Sequence, residues 1–243
     1  MPLPPAVAAA LSLALSLPPG IAHAEDWQFE ITPYIWGATI SGDLATGGDT
    51  SVSAPDVGDG SFFALENLQA AYFLAFEAGR DRWRVLVDTL HLDYADDVRD
   101  GRLLEISAEL EGYMFEGAAA YRLESHPDWE LLGGARYFSI RTSLDSNPGP
   151  ESSVRKDWAD PFLGVRYTHR FSDHWRVRAR ADVGGFGVNA DSMANLAIEA
   201  DYSLTDSLKL RAGYRYLTAD FERDGFIFDV AFTGPAVGLS FQF

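Results

Sequence analysis

From Trp27 onward the chain alternates apolar and polar residues in successive short runs, and no stretch holds a helical period. Neighbouring side chains on a strand point to opposite faces, so strict alternation sorts the two kinds of residue onto the two sides of a sheet. The clearest run is 175–183, Trp-Arg-Val-Arg-Ala-Arg-Ala-Asp-Val, in which every charge shares one face. The run 158–171 sets Ala159, Pro161, Leu163, Val165 and Tyr167 against Asp160, Phe162, Gly164, Arg166 and Thr168. The run 208–219 sets Leu208, Leu210, Ala212, Tyr214 and Tyr216 against Lys209, Arg211, Gly213 and Arg215. The pattern predicts ten strands, over 27–41, 68–79, 83–94, 103–123, 129–143, 158–171, 175–186, 194–204, 208–219 and 226–243. Eight is the alternative, if the weaker pairs are loop extensions. A change of phase around Gly112 predicts a bulge in the fourth strand.

The connections alternate in length. Those at 79–82, 124–128, 172–174 and 205–207 are short, whereas 43–67, 95–102, 144–157, 187–193 and 220–225 are longer and rich in Gly, Asp, Ser and Pro. An even strand count with both termini on the short-turn side is the plan of an all-β, transmembrane, antiparallel up-and-down barrel. Three short turns are followed at once by Trp83, Trp129 and Trp175, each 46 residues after the last, which sets three indoles at one level as an interfacial aromatic girdle. The chain has no Cys, so no disulfide or thiolate metal site can form.

Residues 1–24 read as a cleaved signal peptide, leaving 25–243 as the barrel. Ala6 to Leu17 is a 12-residue apolar run, followed by Pro18-Pro19-Gly20 and an Ala22-His23-Ala24 cleavage site. That run is too short for a transmembrane helix, which needs about 20 apolar residues. No Lys or Arg precedes it, so its positive charge comes only from the amino terminus.

A soluble barrel alternates too, with its apolar face inward, so the choice of inside needs more than period. Long charged side chains crowd the polar face, and small residues (Gly134, Gly164, Gly184, Gly213) sit among them as if making room in a narrow lumen. Trp129, Tyr137, Tyr167, Phe171, Tyr202 and Tyr214 hold the other face near strand ends. The chain ends with Val237, Leu239, Phe241 and Phe243 at alternate positions. These features place the apolar face against lipid.

The stretches Thr32-Pro33-Tyr34-Ile35-Trp36-Gly37-Ala38, 158–167, Asp182-Val183-Gly184-Gly185-Phe186-Gly187-Val188, Gly213-Tyr214-Arg215-Tyr216-Leu217 and 224–243 resemble a family of Gram-negative outer-membrane β-barrel proteins of unassigned function, broadly OmpA/OmpW-like. The resemblance spans nearly the whole mature chain. It implies an outer-membrane location, with outer-membrane lipid and lipopolysaccharide as surroundings. It also implies that Val237, Leu239, Phe241 and Phe243 form the signal read by the barrel-assembly machinery, a transient partner. A monomer without a cofactor is expected.

With 36 Asp+Glu against 19 Lys+Arg the formal charge is −17, which excludes a general nucleic-acid binder. Following the phase along each strand, the lumen receives Arg84, Arg122, Arg136, Arg166, Arg170, Arg176, Arg178, Arg180, Lys209, Arg211 and Arg215, with Glu30, Glu77, Asp88, Glu116, Glu130, Asp160, Asp182, Glu199 and Asp201, a net +2. The long-loop end carries −14 and the short-turn end −5. Side chains can fill a small barrel, so a packed ion-pair network and a narrow or plugged lumen are expected. The role expected is then structural or one of surface interaction. The alternative is a conduit for a small solute or a hydrophobic molecule.

Asp93, Asp96, Asp97 and Asp100 are the densest acidic group and the weak candidates for holding Ca²⁺ or Mg²⁺, although no Asp-x-Asp-x-Asp-Gly loop is present. An enzyme is not expected. His91 and Asp93 fall on the lipid face, and there is no Gly-x-Ser-x-Gly or His-Glu-x-x-His motif.

Overall fold

The computed structural model describes residues 27–46, 51–53, 68–100, 104–147 and 152–243. The signal peptide read over 1–24 and most of the connection 43–67 lie outside the described residues. These contain twelve strands and no helix: β1 (Gln28–Trp36), β2 (Thr39–Thr46), β3 (Ser51–Ser53), β4 (Leu68–Arg80), β5 (Trp83–Asp100), β6 (Leu104–Arg122), β7 (Trp129–Asn147), β8 (Ser152–Arg170), β9 (Trp175–Gly184), β10 (Ser192–Ser203), β11 (Leu208–Arg223) and β12 (Phe226–Gln242).

From β4 to β12 each strand pairs antiparallel with the next, and β1 pairs with β4 on one side and β12 on the other, which closes the sheet. β1 and β2 form one wall strand. They keep a single register along β12, from Glu30 opposite Gln242 to Thr46 opposite Phe226, with breaks in the ladder at Thr32 and Pro33 and at Gly37 and Ala38. The short β3 hairpins onto β2. The molecule is therefore a closed ten-stranded antiparallel barrel, and the count of eight is excluded. The two ends of this barrel meet on the short-turn side, where Phe29 and Phe243 exchange backbone hydrogen bonds of 3.0 and 3.1 Å.

Two expectations need correction. Gly112 is not a bulge: it stands opposite Leu92 on one side and Ile140 on the other in unbroken ladders. Among the described residues the register shift lies instead in β4, between Leu68 and Ala70. Three of the long connections are also largely strand. The β5–β6 ladder continues to Asp100 opposite Leu104, β7–β8 to Leu144 opposite Ser152, and β11–β12 to Arg223 opposite Phe226. Asp224 and Gly225 close the last hairpin with φ of 54° and 78°, the two positive values that a type I′ turn requires and that Asp-Gly supplies at little cost.

The phase change near Gly112 reflects which side of the wall is apolar. On β7, Trp129 and Leu131 are exposed on the outside, whereas beyond Tyr137 it is Phe138 and Ile140 that are buried inside. On β11, Leu210, Tyr214 and Tyr216 face out, then Leu217, Ala219 and Phe221 face in. On β12, Leu239 and Val237 face out while Val230, Phe228 and Phe226 face in. The outer apolar face thus covers about nine residues above each short turn, as from Trp129 to Tyr137 or Tyr113 to Tyr121, close to the span of one membrane crossing. Beyond it the barrel turns into the soluble kind, dry inside and polar outside.

That dry half has a continuous core. Phe73, Leu90, Met114, Phe138 and Trp158 each stand opposite the next around the wall. Trp158 lies between Phe138 and Phe221, with ring centroids 5.2 and 4.3 Å away, and meets Phe228 edge-on at 5.4 Å. Burying a side chain of this size stabilises by roughly 1.5–3 kcal/mol.

The inner-face glycines have a different reason from the one their sequence positions suggest. A Cβ at Gly134 would sit 2.2 Å from the carbonyl oxygen of Gly117, and one at Gly213 2.4 Å from that of Ile198. The neighbouring strand's backbone, more than a lumen side chain, fills the space. Gly134→Ala is expected to lower stability by about 1–3 kcal/mol through overpacking. Gly112→Ala, whose Cβ would make an ordinary 3.5 Å contact with Ile140, is expected to leave it nearly unchanged. Urea unfolding followed by heat-modifiable gel mobility compares the two.

Candidate functional site

The inner face of the membrane-height half carries nearly all the charge that the strand phase directs there. Its geometry resolves into two linked clusters. In the upper one, Arg136 holds Glu116 at 2.6 Å and Asp182 at 3.0 Å, and Arg180 reaches the same two carboxylates at 2.7 Å each. Arg215 pairs with Asp88 at 2.8 Å and donates to Asn195, which in turn donates to Asp182. Tyr34 completes this cluster by donating to Asp88 at 2.7 Å. Arg136 and Arg180 both stack over the ring of Phe162, and Arg215 over that of Trp36, where the charged level meets the aromatic core.

The lower cluster surrounds Glu30, Glu77, Glu130 and Asp201. Arg166 bonds Glu77 at 3.0 Å and Glu130 at 2.7 Å, and Arg178 bonds Glu77 at 3.0 Å. Arg176 and Arg211 share Asp201 at 2.6 and 2.7 Å, and Arg211 also pairs with Glu30. Lys209 lies 3.4 Å from Glu30 and donates to Gln242 at 2.6 Å. Ion pairs removed from water offset their desolvation only when geometry is good, and the shared carboxylates here supply close charge-assisted contacts, while buried Arg136 Nη1 and Arg178 Nε have no hydrogen-bond acceptor among the described residues.

Asp160 is inside but makes no ion pair among the described residues. Its carboxylate accepts the backbone N–H groups of Asn189 at 2.8 Å and Ala190 at 3.0 Å, pinning the 185–191 connection against the barrel. The sequence reading missed the neutral members of the network. Tyr34, Thr32, Asn195, Ser240 and Gln242 all fall on the polar phase of their strands, and that phase was the available signal.

Water space inside is divided. A cavity of about 110 Å³ lies at mid-height beside Tyr34, Asp88, Glu116 and Arg215. A second, of about 350 Å³, opens at the short-turn mouth among Arg84, Arg122, Arg170, Arg176 and Lys209.

On the outside, Trp83, Trp129 and Trp175 stand exposed just above their turns, leaning on Tyr121, Tyr167 and Tyr202 respectively at 4.9, 4.9 and 5.0 Å. Above the apolar belt the outer face becomes ionic. Glu111 and Arg141, direct register partners, approach to 3.7 Å, and Arg155 reaches Asp157 at 3.4 Å and Ser139 at 2.8 Å. Val237, Leu239 and Phe243 are exposed along β12 next to the β1 seam.

His91 faces outward and stacks on Tyr72 at 4.9 Å. His126, His169 and His174 lie at the short-turn end, where His169 is 3.6 Å from Asp128. Asp93, Asp96, Asp97 and Asp100 belong to the paired strand β5 and not to a loop; the side chains of the last three lie outside the described residues. Among the described residues no three His, Cys, Asp or Glu side chains converge as a metal site would require.

No protein-family model matches the chain, and no curated protein does. Solved structures similar to it include the attachment invasion locus protein Ail of Yersinia pestis in complex with the heparin analogue sucrose octasulfate, at 10% identity and a TM-score of 0.43 over 90% of this chain and 99% of that one. The outer membrane protease OmpT of Escherichia coli is similar at 12% identity and a TM-score of 0.46, over 91% and 98%. The translocator domain of the autotransporter NalP of Neisseria meningitidis is similar at 11% and 0.40, over 98% of each chain.

Arg178 is 5% exposed and lies within 3.6 Å of Glu30, Glu77, Glu199 and Asp201. Arg178→Ala leaves these acids facing one another and is expected to cost about 3–5 kcal/mol. Arg141→Ala, from a half-exposed outer pair, is expected to cost at most about 1 kcal/mol. Urea midpoints of the refolded variants test the contrast.

Proposed function

We propose that this protein is an integral outer-membrane β-barrel with a closed lumen, serving a structural or surface-interaction role. The observation that carries the reading is that, among the described residues, the interior is filled by ions and their partners at membrane height, around cavities of about 110 and 350 Å³, and by packed aromatics above. Barrels that conduct water and solutes have more strands and an unfilled centre.

Several features support the membrane setting. A wall that is apolar outside and ionic inside would expose its belt to water if soluble, and a closed sheet is the one β arrangement that satisfies every backbone group in lipid. The outward Glu111, Arg141, Arg155 and Asp157 set the upper edge of the belt, because a lipid-facing Arg or Lys at mid-bilayer costs about 2–4 kcal/mol. The three tryptophans form the girdle at the lower edge. On this reading the short turns face the periplasm and the acidic hairpins face outward toward lipopolysaccharide. The OmpA/OmpW-like resemblance belongs to the same reading. So does the part of Val237, Leu239, Phe241 and Phe243, which the assembly machinery would engage before β12 closes on β1. The chain is monomeric and non-catalytic in this account, with His91 turned away from any water-filled site.

Planar-bilayer recording of the refolded barrel tests the closed lumen. The expected result is no unitary conductance from protein that shows heat-modifiable mobility. Steady ohmic steps from such protein would establish the conduit instead. Overproduction is expected to leave the lipid A mass spectrum unchanged.

A further inference from the structure

We propose that the basin at the short-turn mouth binds a small, multiply charged oxyanion of the phosphate class. The chain as a whole is strongly acidic, yet seven of the basin's lining side chains are cationic and four are acidic. The excess is built into the strand register. On β8 and β9, Arg166 stands directly opposite Arg180, and Arg170 directly opposite Arg176. Like charges so placed repel one another.

The deeper pair is neutralised by carboxylates: Glu77 and Glu130 hold Arg166, and Glu116 and Asp182 hold Arg180. At the mouth only one member of the pair is neutralised. Arg176 is committed to Asp201 at 2.6 Å, while Arg170, exposed to the basin, has no carboxylate within ion-pair reach among the described residues. Across the opening Arg122 approaches Glu130 only to 3.7 Å, and Arg84 pairs loosely with Glu130 and Glu77 at 3.4 and 3.5 Å. The arrangement that takes protein carboxylates one level deeper is therefore completed at the mouth by an anion from solution.

Guanidinium groups recognise tetrahedral oxyanions through paired N–H donors, and several converging on one space favour a multiply charged ligand. A volume of about 350 Å³ admits a pyrophosphate-sized anion with some of its water. The basin lies within the barrel, so the ligand is a free anion and not a lipid headgroup. The compartment it faces follows from the orientation proposed above, but the site itself does not depend on that orientation.

Titration calorimetry of the refolded barrel in zwitterionic micelles at low salt tests this, with pyrophosphate, orthophosphate and succinate as probes. Saturable binding is expected, tightest for pyrophosphate and weakening as salt rises. The double variant Arg122→Gln/Arg170→Gln, at positions open to the basin, is expected to bind pyrophosphate at least about tenfold more weakly. Arg141→Gln, at the other end, is expected to bind like the parent. Heat-modifiable mobility shows that each variant is folded. No heat with any probe, succinate matching pyrophosphate, or a folded double variant that binds like the parent would each overturn the site. None of these outcomes bears on conductance.

Discussion

Backbone N–H and C=O groups have no water to bond in hydrocarbon, so a sheet that enters a bilayer has to close on itself. In this protein closure rests on the seam between β1 and β12, from Trp36 opposite Ala236 down to the paired backbones of Phe29 and Phe243. Once the wall is closed, every residue has one of two addresses, inside or outside. Register ties these addresses together, because a slip of one residue would exchange them for a whole strand. The ion pairs show how tightly the register is held: Arg136 stands opposite Glu116, and Arg211 stands opposite Asp201.

What each address demands changes along the barrel axis. At membrane height the outside is lipid, so the inside takes the charges, and its narrow bore forces them into contact with one another. Higher up, the outside is water, so the same wall reverses its preference and packs Trp158, Phe138, Phe221 and Phe228 within. The reversal needs no bulge, because the alternation keeps its phase and only the polarity assigned to each phase is exchanged. The two halves also seal differently. The lower one is filled with paired ions that still leave cavities, whereas the described residues of the upper one pack apolar and aromatic side chains against one another.

The closed barrel, its ten walls, the turn side of each connection and the charged inner face were all legible in the sequence, because period two and turn chemistry are local signals. The dry outer half was not read, although its signal was present. Apolar residues on β12 shift from odd positions (Val237, Leu239) to even ones (Phe226, Phe228, Val230), on β11 from even to odd, and on β6 the same exchange falls at Gly112. One exchange taken alone resembles a bulge. Several, each about nine residues from a short turn, mark a boundary between solvents. The partners within the network could not be read in advance, because Arg178 meets Glu30 and Glu77 across the lumen, and such contacts depend on the barrel's bore and stagger more than on sequence spacing. The glycines illustrate the same limit: their inner-face position was legible, but the backbone that approaches them was not.

The central claim, that one outer face passes from lipid to water partway up the wall, can be measured on β8. Because the chain has no Cys, single spin labels can be placed by Leu163→Cys and Arg155→Cys, both on the outward phase, in barrels reconstituted in bilayers. Collisional relaxation by oxygen and by a water-soluble nickel complex then reports the surroundings of each label. The account requires the label at 163 to be oxygen-rich and shielded from nickel, and the label at 155 to show the reverse. Oxygen-rich surroundings at both positions would contradict it, and so would nickel access at both.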